Sequence, residues 1–228
     1  MKKALLLLHG AVGSAEQLKP LQHQLEERYQ VHNLNFPGHG GTEMPDAFSI
    51  PSFSDFVSRY CKKEGLNEVS VFGYSMGGYV ALYLAKEQPR LVSRIVTLAT
   101  KFHWDETTAA REIKMLIPEL ILQKVPQFAK TLEGRHAPNN WKTVLQQTAV
   151  MLAGMGAYNP LLPGDYTGIN NPVLLMLGDR DKMVSLEETR EVYQKLPDAQ
   201  LAVLPGTPHP VESVDFALLR FYIERFVG

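Results

Sequence analysis

Cysteine occurs once, at Cys61. A single thiol cannot close an intramolecular disulfide, so a reducing compartment suits the chain and the cytoplasm is its expected location. Excess charge is also lacking: 23 lysines and arginines stand against 24 aspartates and glutamates, a net charge of −1. That balance gives no electrostatic case for nucleic acid or an acidic membrane as partner and points to a small, roughly neutral substrate. Long apolar runs are missing too. None approaches the roughly 20 residues needed to span a bilayer. Ala4–Leu8 is shorter than the roughly 7–15 residue apolar core of a secretory signal and meets His9-Gly10 at once, so a buried strand is expected there. There are no internal repeats, low-complexity tracts or charge blocks.

At 228 residues, with 45% hydrophobic and 21% charged side chains, the chain can bury a sizeable core, and one domain over 1–228 is expected. Apolar runs at Ala4–Leu8, Val31–Phe36, Val69–Phe72, Ile95–Leu98, Pro172–Leu177 and Leu201–Leu204 read as six strands. Helical patterns separate them. Ser14 with Gln17 and Ser185 with Glu188 form capping boxes; the first opens a helix to about Tyr29, with Pro20 marking a later start as the alternative. Phe53, Phe56, Val57 and Tyr60 share a helical face over 51–64, a helix leaves Ser75 and ends near Gln88-Pro89, and another covers 213–227. This alternation predicts an α/β fold, a doubly wound and mostly parallel sheet flanked by helices.

The most informative stretch is Gly73-Tyr74-Ser75-Met76-Gly77, between an apolar strand and a helix. A reversal this tight strains its central residue and needs neighbours without a Cβ, and Gly73, Gly77 and Gly78 supply them. Ser75 is thereby lifted to a helix N-terminus, where negative charge is favoured, which is the position of a nucleophile. A serine hydroxyl needs a base in contact and a group to orient that base. His209 fits the base, because it follows the last strand, precedes the last helix and is confined by Pro208 and Pro210. Asp181 is the favoured acid and Asp179 the reserve, since both follow Leu177 closely. Two backbone N–H groups should hold a developing oxyanion: Met76, directly after the nucleophile, and Ala11, in the small-residue loop after the first strand. His9 and His39 are expected to brace their loops, while His103 and His136 lie in an insertion and are not assigned.

That insertion runs from about 102 to 170, with helical spacing, prolines at 118, 126, 138 and 160, and no strand pattern. It is expected to form a helical cap over the strand ends. Trp104, Phe128 and Trp141 are its candidate substrate-binding residues.

His9-Gly10, Phe36-Pro-Gly-His-Gly-Gly-Thr42, Gly73-Tyr-Ser-Met-Gly-Gly78, Gly178-Asp-Arg-Asp181 and Pro205-Gly-Thr-Pro-His209 occur in the order found in the α/β-hydrolase superfamily, which the chain resembles over essentially its whole length. The resemblance implies Ser75 as nucleophile, Asp181 as acid, His209 as base, Ala11 and Met76 as oxyanion donors, and no metal or organic cofactor. Two departures stand out. The family core has eight strands whereas six are expected here, and Asn35-Phe36 replaces the usual aspartate before Pro37. Serine at 75 argues against the epoxide-hydrolase and haloalkane-dehalogenase branches, whose nucleophile is a carboxylate. The resemblance implies a serine hydrolase of small carboxylic esters, acting as monomer or homodimer. The alternative is a carbon–carbon hydrolase or lyase with the same triad, which would call for an arginine such as Arg111, Arg135 or Arg180 in the pocket. A non-catalytic binding protein is the third reading, and the complete triad argues against it.

Overall fold

Strands β1 (Lys3–Leu8), β2 (Tyr29–Leu34), β3 (Val69–Tyr74), β4 (Val92–Leu98), β5 (Val173–Gly178) and β6 (Ala199–Leu204) form one parallel sheet in the order β2-β1-β3-β4-β5-β6. The computed structural model describes residues 2–228. With β1 between β2 and β3, the winding reverses beside β1 and β3, and their carboxyl ends open the crevice where α/β sheets take ligands.

Both faces of the sheet are covered, which explains the unbroken leucines of β1. Leu5 and Leu7 face α1 (Lys19–Leu25) and α9 (Phe216–Val227), packing with Leu21, Leu25, Leu219 and Ile223. Leu6 and Leu8 face the opposite side, covered by α2 (Ile50–Lys63), α3 (Met76–Glu87) and α8 (Leu186–Lys195). All four are fully buried, each contributing about 2 kcal/mol relative to exposure. Among the described residues no helix is long and apolar enough to cross a membrane.

The boundaries differ from the sequence pattern where a local hydrogen bond intervenes. Pro20 has no N–H to continue a helix from Ser14, so a 3-10 turn at Ala15–Leu18 closes first and α1 starts afresh with Pro20 in its first turn. At that turn the Ser14 N–H donates to Gln17 Oε1 at 3.0 Å. β2 ends at Leu34 because the Phe36 N–H is diverted from the ladder to His9 Nε2, at 3.1 Å. The terminal helix begins at Phe216, where Asp215 accepts from the Ala217 and Leu218 N–H groups, and Ser213 falls in a preceding 3-10 turn.

α3 lies against the sheet with no room for side chains. A Cβ at Gly77 would overlap the backbone of Leu8 and His9, and one at Gly73 the backbone of Gly77 and Gly78. Backbone cannot yield as a flexible side chain does. Gly77→Ala should therefore cost about 3 kcal/mol or more, read as a drop in the urea midpoint at unchanged slope; a loss below about 1 kcal/mol would contradict this packing.

Between β4 and β5 lie α4 (Glu106–Lys114), α5 (Pro118–Lys124), α6 (Pro126–His136) and α7 (Trp141–Ala157). No strand interrupts them among the described residues. Trp141 requires a correction: it packs with Ile121, Ala129, Leu132 and Leu145 in a small core internal to these helices. A large apolar residue at an N-terminal helix position reads the same in sequence whether it faces a ligand or a neighbouring helix.

The end of α6 meets the body at three buried histidines. His9 Nε2 accepts from Phe36, so its proton is on Nδ1 and is donated to the Gly10 carbonyl at 2.7 Å. His136 Nδ1 accepts from the Gly40 N–H at 3.3 Å, so Nε2–H donates to the Val12 carbonyl at 3.0 Å. His39 lies between them, with ring centroids 5.1 Å from His9 and 5.7 Å from His136, and donates from Nδ1 to the Pro37 carbonyl at 3.1 Å. Burial disfavours the imidazolium at each. The pKa falls to about 3 for His9 and about 4 for His136, and well below the usual value for His39.

An unfolded histidine titrates near pH 6.5. Between there and about pH 4 the unfolded chain binds more protons, so stability present above pH 6.5 is lost as pH falls, by about 1.4 kcal/mol per unit per histidine. Urea titrations at pH 7.5, 6 and 5 should show this decline, with His39→Leu reducing its slope by about one proton. A flat profile would mean that the rings are not held neutral.

Candidate active site

Ser75 joins β3 to α3 with φ 51° and ψ −116°. Such a conformation costs a non-glycine residue about 1–3 kcal/mol, and hydrogen bonds on both sides offset it. The Ser75 N–H donates to the Leu98 carbonyl at 2.8 Å, and its own carbonyl accepts from Gly78 N–H at 3.0 Å and the Thr100 hydroxyl at 3.0 Å. The side chain stands at the N-terminus of α3, where the leading N–H groups have no helical acceptor.

The loops after β5 and β6 run in contact. A Cβ at Gly178 would overlap the Thr207 backbone, and Arg180 N–H donates to the Thr207 carbonyl at 3.1 Å. This contact brings Asp181 to His209. Asp181 Oδ2 accepts from His209 Nδ1 at 2.7 Å, while Oδ1 accepts from the Met183 and Val184 N–H groups at 2.8 and 2.9 Å. Burial of Asp181 opposes its ionisation, but the bonds from His209, Val184 and Met183 outweigh it and hold the carboxyl below its usual range. An ionised carboxylate only accepts, so the imidazole proton is on Nδ1 and Nε2 carries the free lone pair. Asp179 does not touch the imidazole. It accepts from the Thr207 N–H at 3.2 Å and pairs with Arg180 at 3.6 Å.

Ser75 and His209 line one cavity of about 340 Å³, at the small end of the range for small-molecule sites. Among the described residues the two share no direct hydrogen bond. Ala11 and Met76 line the same cavity, as do Trp104 and Phe128; Trp141 does not. Methionines 76, 115, 151, 155 and 183 make much of its wall.

Ala11 belongs to a tight turn. Gly13 N–H donates to the Gly10 carbonyl at 3.1 Å, and the third residue, Val12, has φ 51°, the type II pattern that usually takes glycine or asparagine there. The Gly10 carbonyl is held by His9 and by Gly13, which fixes the plane of the Gly10–Ala11 peptide. In a trans peptide N–H and C=O point oppositely, so the Ala11 N–H is turned away from those partners. Neither it nor the Met76 N–H is spent on a protein acceptor among the described residues.

Two ion pairs at the cavity have no sequence signature. Lys101 meets Glu112 of α4 at 3.5 Å and also donates to the Met183 carbonyl. Arg135 of α6 reaches Glu212 at 3.4 Å and the Val12 carbonyl at 3.1 Å. Neither follows a helical or strand spacing, and the second joins residues far apart in the chain. Arg111 pairs with Glu112 outside the cavity lining, and Arg180 is largely exposed. Among the described residues no cluster of histidine, cysteine, aspartate and glutamate is arranged to hold a metal ion.

Comparison with known proteins agrees with this architecture. The chain is 21% identical to the 2-(acetamidomethylene)succinate hydrolase of Mesorhizobium japonicum, over 98% of this chain and 87% of that one. It is 26% identical to the pimeloyl-[acyl-carrier protein] methyl ester esterase of Chromobacterium violaceum, over 89% and 83%. A hydrolase from Pseudomonas aeruginosa shares the fold with a TM-score of 0.81 at 15% identity, over 100% of this chain and 90% of that one. The model of the Alpha/beta hydrolase family matches residues 5–217, and with that match joined to its parallel sheet and serine elbow the chain belongs to the Alpha/beta hydrolase family.

Proposed function

We propose that this hydrolase cleaves small carboxylic esters through an acyl-serine intermediate on Ser75. The 2.7 Å contact between Asp181 and His209, with His209 lining the cavity that holds Ser75, carries the reading. In this mechanism His209 Nε2 takes the Ser75 proton as Oγ attacks the ester carbonyl carbon. The negative charge that collects on the carbonyl oxygen meets the N–H groups of Met76 and Ala11. The tetrahedral species collapses, His209 returns the proton to the departing alcohol, and the acyl group stays on Ser75. Water, deprotonated by His209, then releases the acid. Asp181 keeps the imidazole in the tautomer that can accept and stabilises the imidazolium while it exists.

The apolar wall of methionines, with Trp104 and Phe128, suits an acyl group without charge. A carbon–carbon cleaving activity would call for a cation free to hold a substrate carboxylate. Arg135 reaches the cavity already bound to Glu212 and the Val12 carbonyl, and Lys101 is held by Glu112, so this reading has less support.

Short p-nitrophenyl esters should be turned over, and Ser75→Ala should lose about 10⁴-fold or more in kcat. Asp181→Asn should lose roughly 10³- to 10⁴-fold by favouring the wrong tautomer, whereas Asp179→Asn should stay within about threefold of the parent. Undiminished turnover by Ser75→Ala would refute the nucleophile, and equal losses for the two aspartates would refute the acid. Faster cleavage of a vinylogous diketone than of any ester would favour the carbon–carbon reaction.

A further inference from the structure

The turn that carries the Ala11 N–H is held from two sides. On the body side, His9 and the Gly13 N–H fix the Gly10 carbonyl. On the cap side, both lone pairs of the Val12 carbonyl are taken by consecutive residues in the last turn of α6: Arg135 Nη1 donates at 3.1 Å and His136 Nε2 at 3.0 Å. Val12 is a β-branched residue in the left-handed region, φ 51°, where such side chains are outliers and where the turn by itself would favour glycine. Local preference thus works against this conformation, and the two donors from α6 work for it.

Neither donor is a free surface group. His136 is fully buried, and its other nitrogen accepts from Gly40, so the ring is fixed in the tautomer that donates to Val12. Arg135 is anchored through its second terminal nitrogen, Nη2, by Glu212, in the loop that follows His209, and Glu212 also accepts from Gln17 at 2.6 Å. The end of one cap helix therefore ties together the loops that follow β1, β2 and β6.

We infer that Arg135 and His136 are positioning residues for the oxyanion hole: by gripping the Val12 carbonyl they hold the Ala11 N–H in place, so that the hole is complete when the cap is seated. This rests on the proposed ester hydrolysis at Ser75. A positioning role differs from packing in what it moves. It acts on the tetrahedral state and leaves binding of the uncharged ester nearly unchanged.

The test uses the full-length protein, p-nitrophenyl butyrate, and an alkylboronic acid whose tetrahedral adduct with a serine places an oxygen in the oxyanion hole. Arg135→Gln and His136→Leu should each lower kcat about 10- to 100-fold and weaken the boronic acid by a similar factor, with KM within about threefold. His136→Gln, which keeps an amide donor where Nε2 stood, should recover most of the loss. Val12→Gly in the Arg135→Gln background should also restore rate, because glycine takes the left-handed region without help. Should His136→Leu fail to fold, Arg135→Gln with its Val12→Gly rescue decides alone. Changes confined to KM or to thermal stability, or a Val12→Gly substitution that restores nothing, would overturn the inference. Turnover that survives Ser75→Ala would instead overturn the nucleophile assignment. Loss in Ser75→Ala, beside unaltered kcat and boronate affinity in the cap variants, would defeat this inference alone.

Discussion

Helix α3 approaches the sheet so closely that the backbone at Gly77 faces the carbonyls of Leu8 and His9, with no space for a Cβ between them. That approach sets the rest of the site. It places the serine of the turn between β3 and α3 in a left-handed conformation, beside the loop that leaves β1, and it aligns the first N–H groups of α3 with that loop. The strain at Ser75 persists because hydrogen bonds from β4 and from the segment after it fix the backbone on either side.

Burial does electrostatic work where the end of α6 meets the loops after β1 and β2. His9 and His136 each lie within about 6 Å of His39; the rings would repel if charged, and desolvation keeps them neutral. A neutral ring both accepts and donates, so His9 and His136 can each take one backbone N–H and give to one backbone carbonyl, which a donor-only lysine or arginine could not do. Asp181 lies in the opposite regime. Three donors face its carboxyl and keep it ionised despite burial, and the imidazole at His209 is oriented by that charge.

Much of this could be read from the chain. The strands were visible because both faces are covered and the leucines run unbroken. The pairing of His209 with Asp181, rather than with Asp179, was legible because chain order and loop position limit the choice. Hydrogen bonds that leave the ladder were not legible: β2 stops at Leu34 because a histidine side chain captures the next N–H, and no periodicity encodes that. Nor were the ion pairs made by α4 and α6. Arg135 with Glu212 and Lys101 with Glu112 depend on how the helices of the insertion descend, and Trp141 has the same apolar signature as Trp104 while facing inward among those helices.

The methionine wall of the cavity has its own consequence. A thioether on an unbranched chain has three rotatable bonds and little directional preference, so walls built from it reshape at small cost, unlike walls of valine or phenylalanine. Guests differing by a methylene or a branch would each find a fitting arrangement of the same side chains, separated by about 1 kcal/mol or less. For the ester hydrolysis proposed above, selectivity in such a chamber shifts from the contour of the methionine wall to the hydrogen-bonded loops beside Ser75.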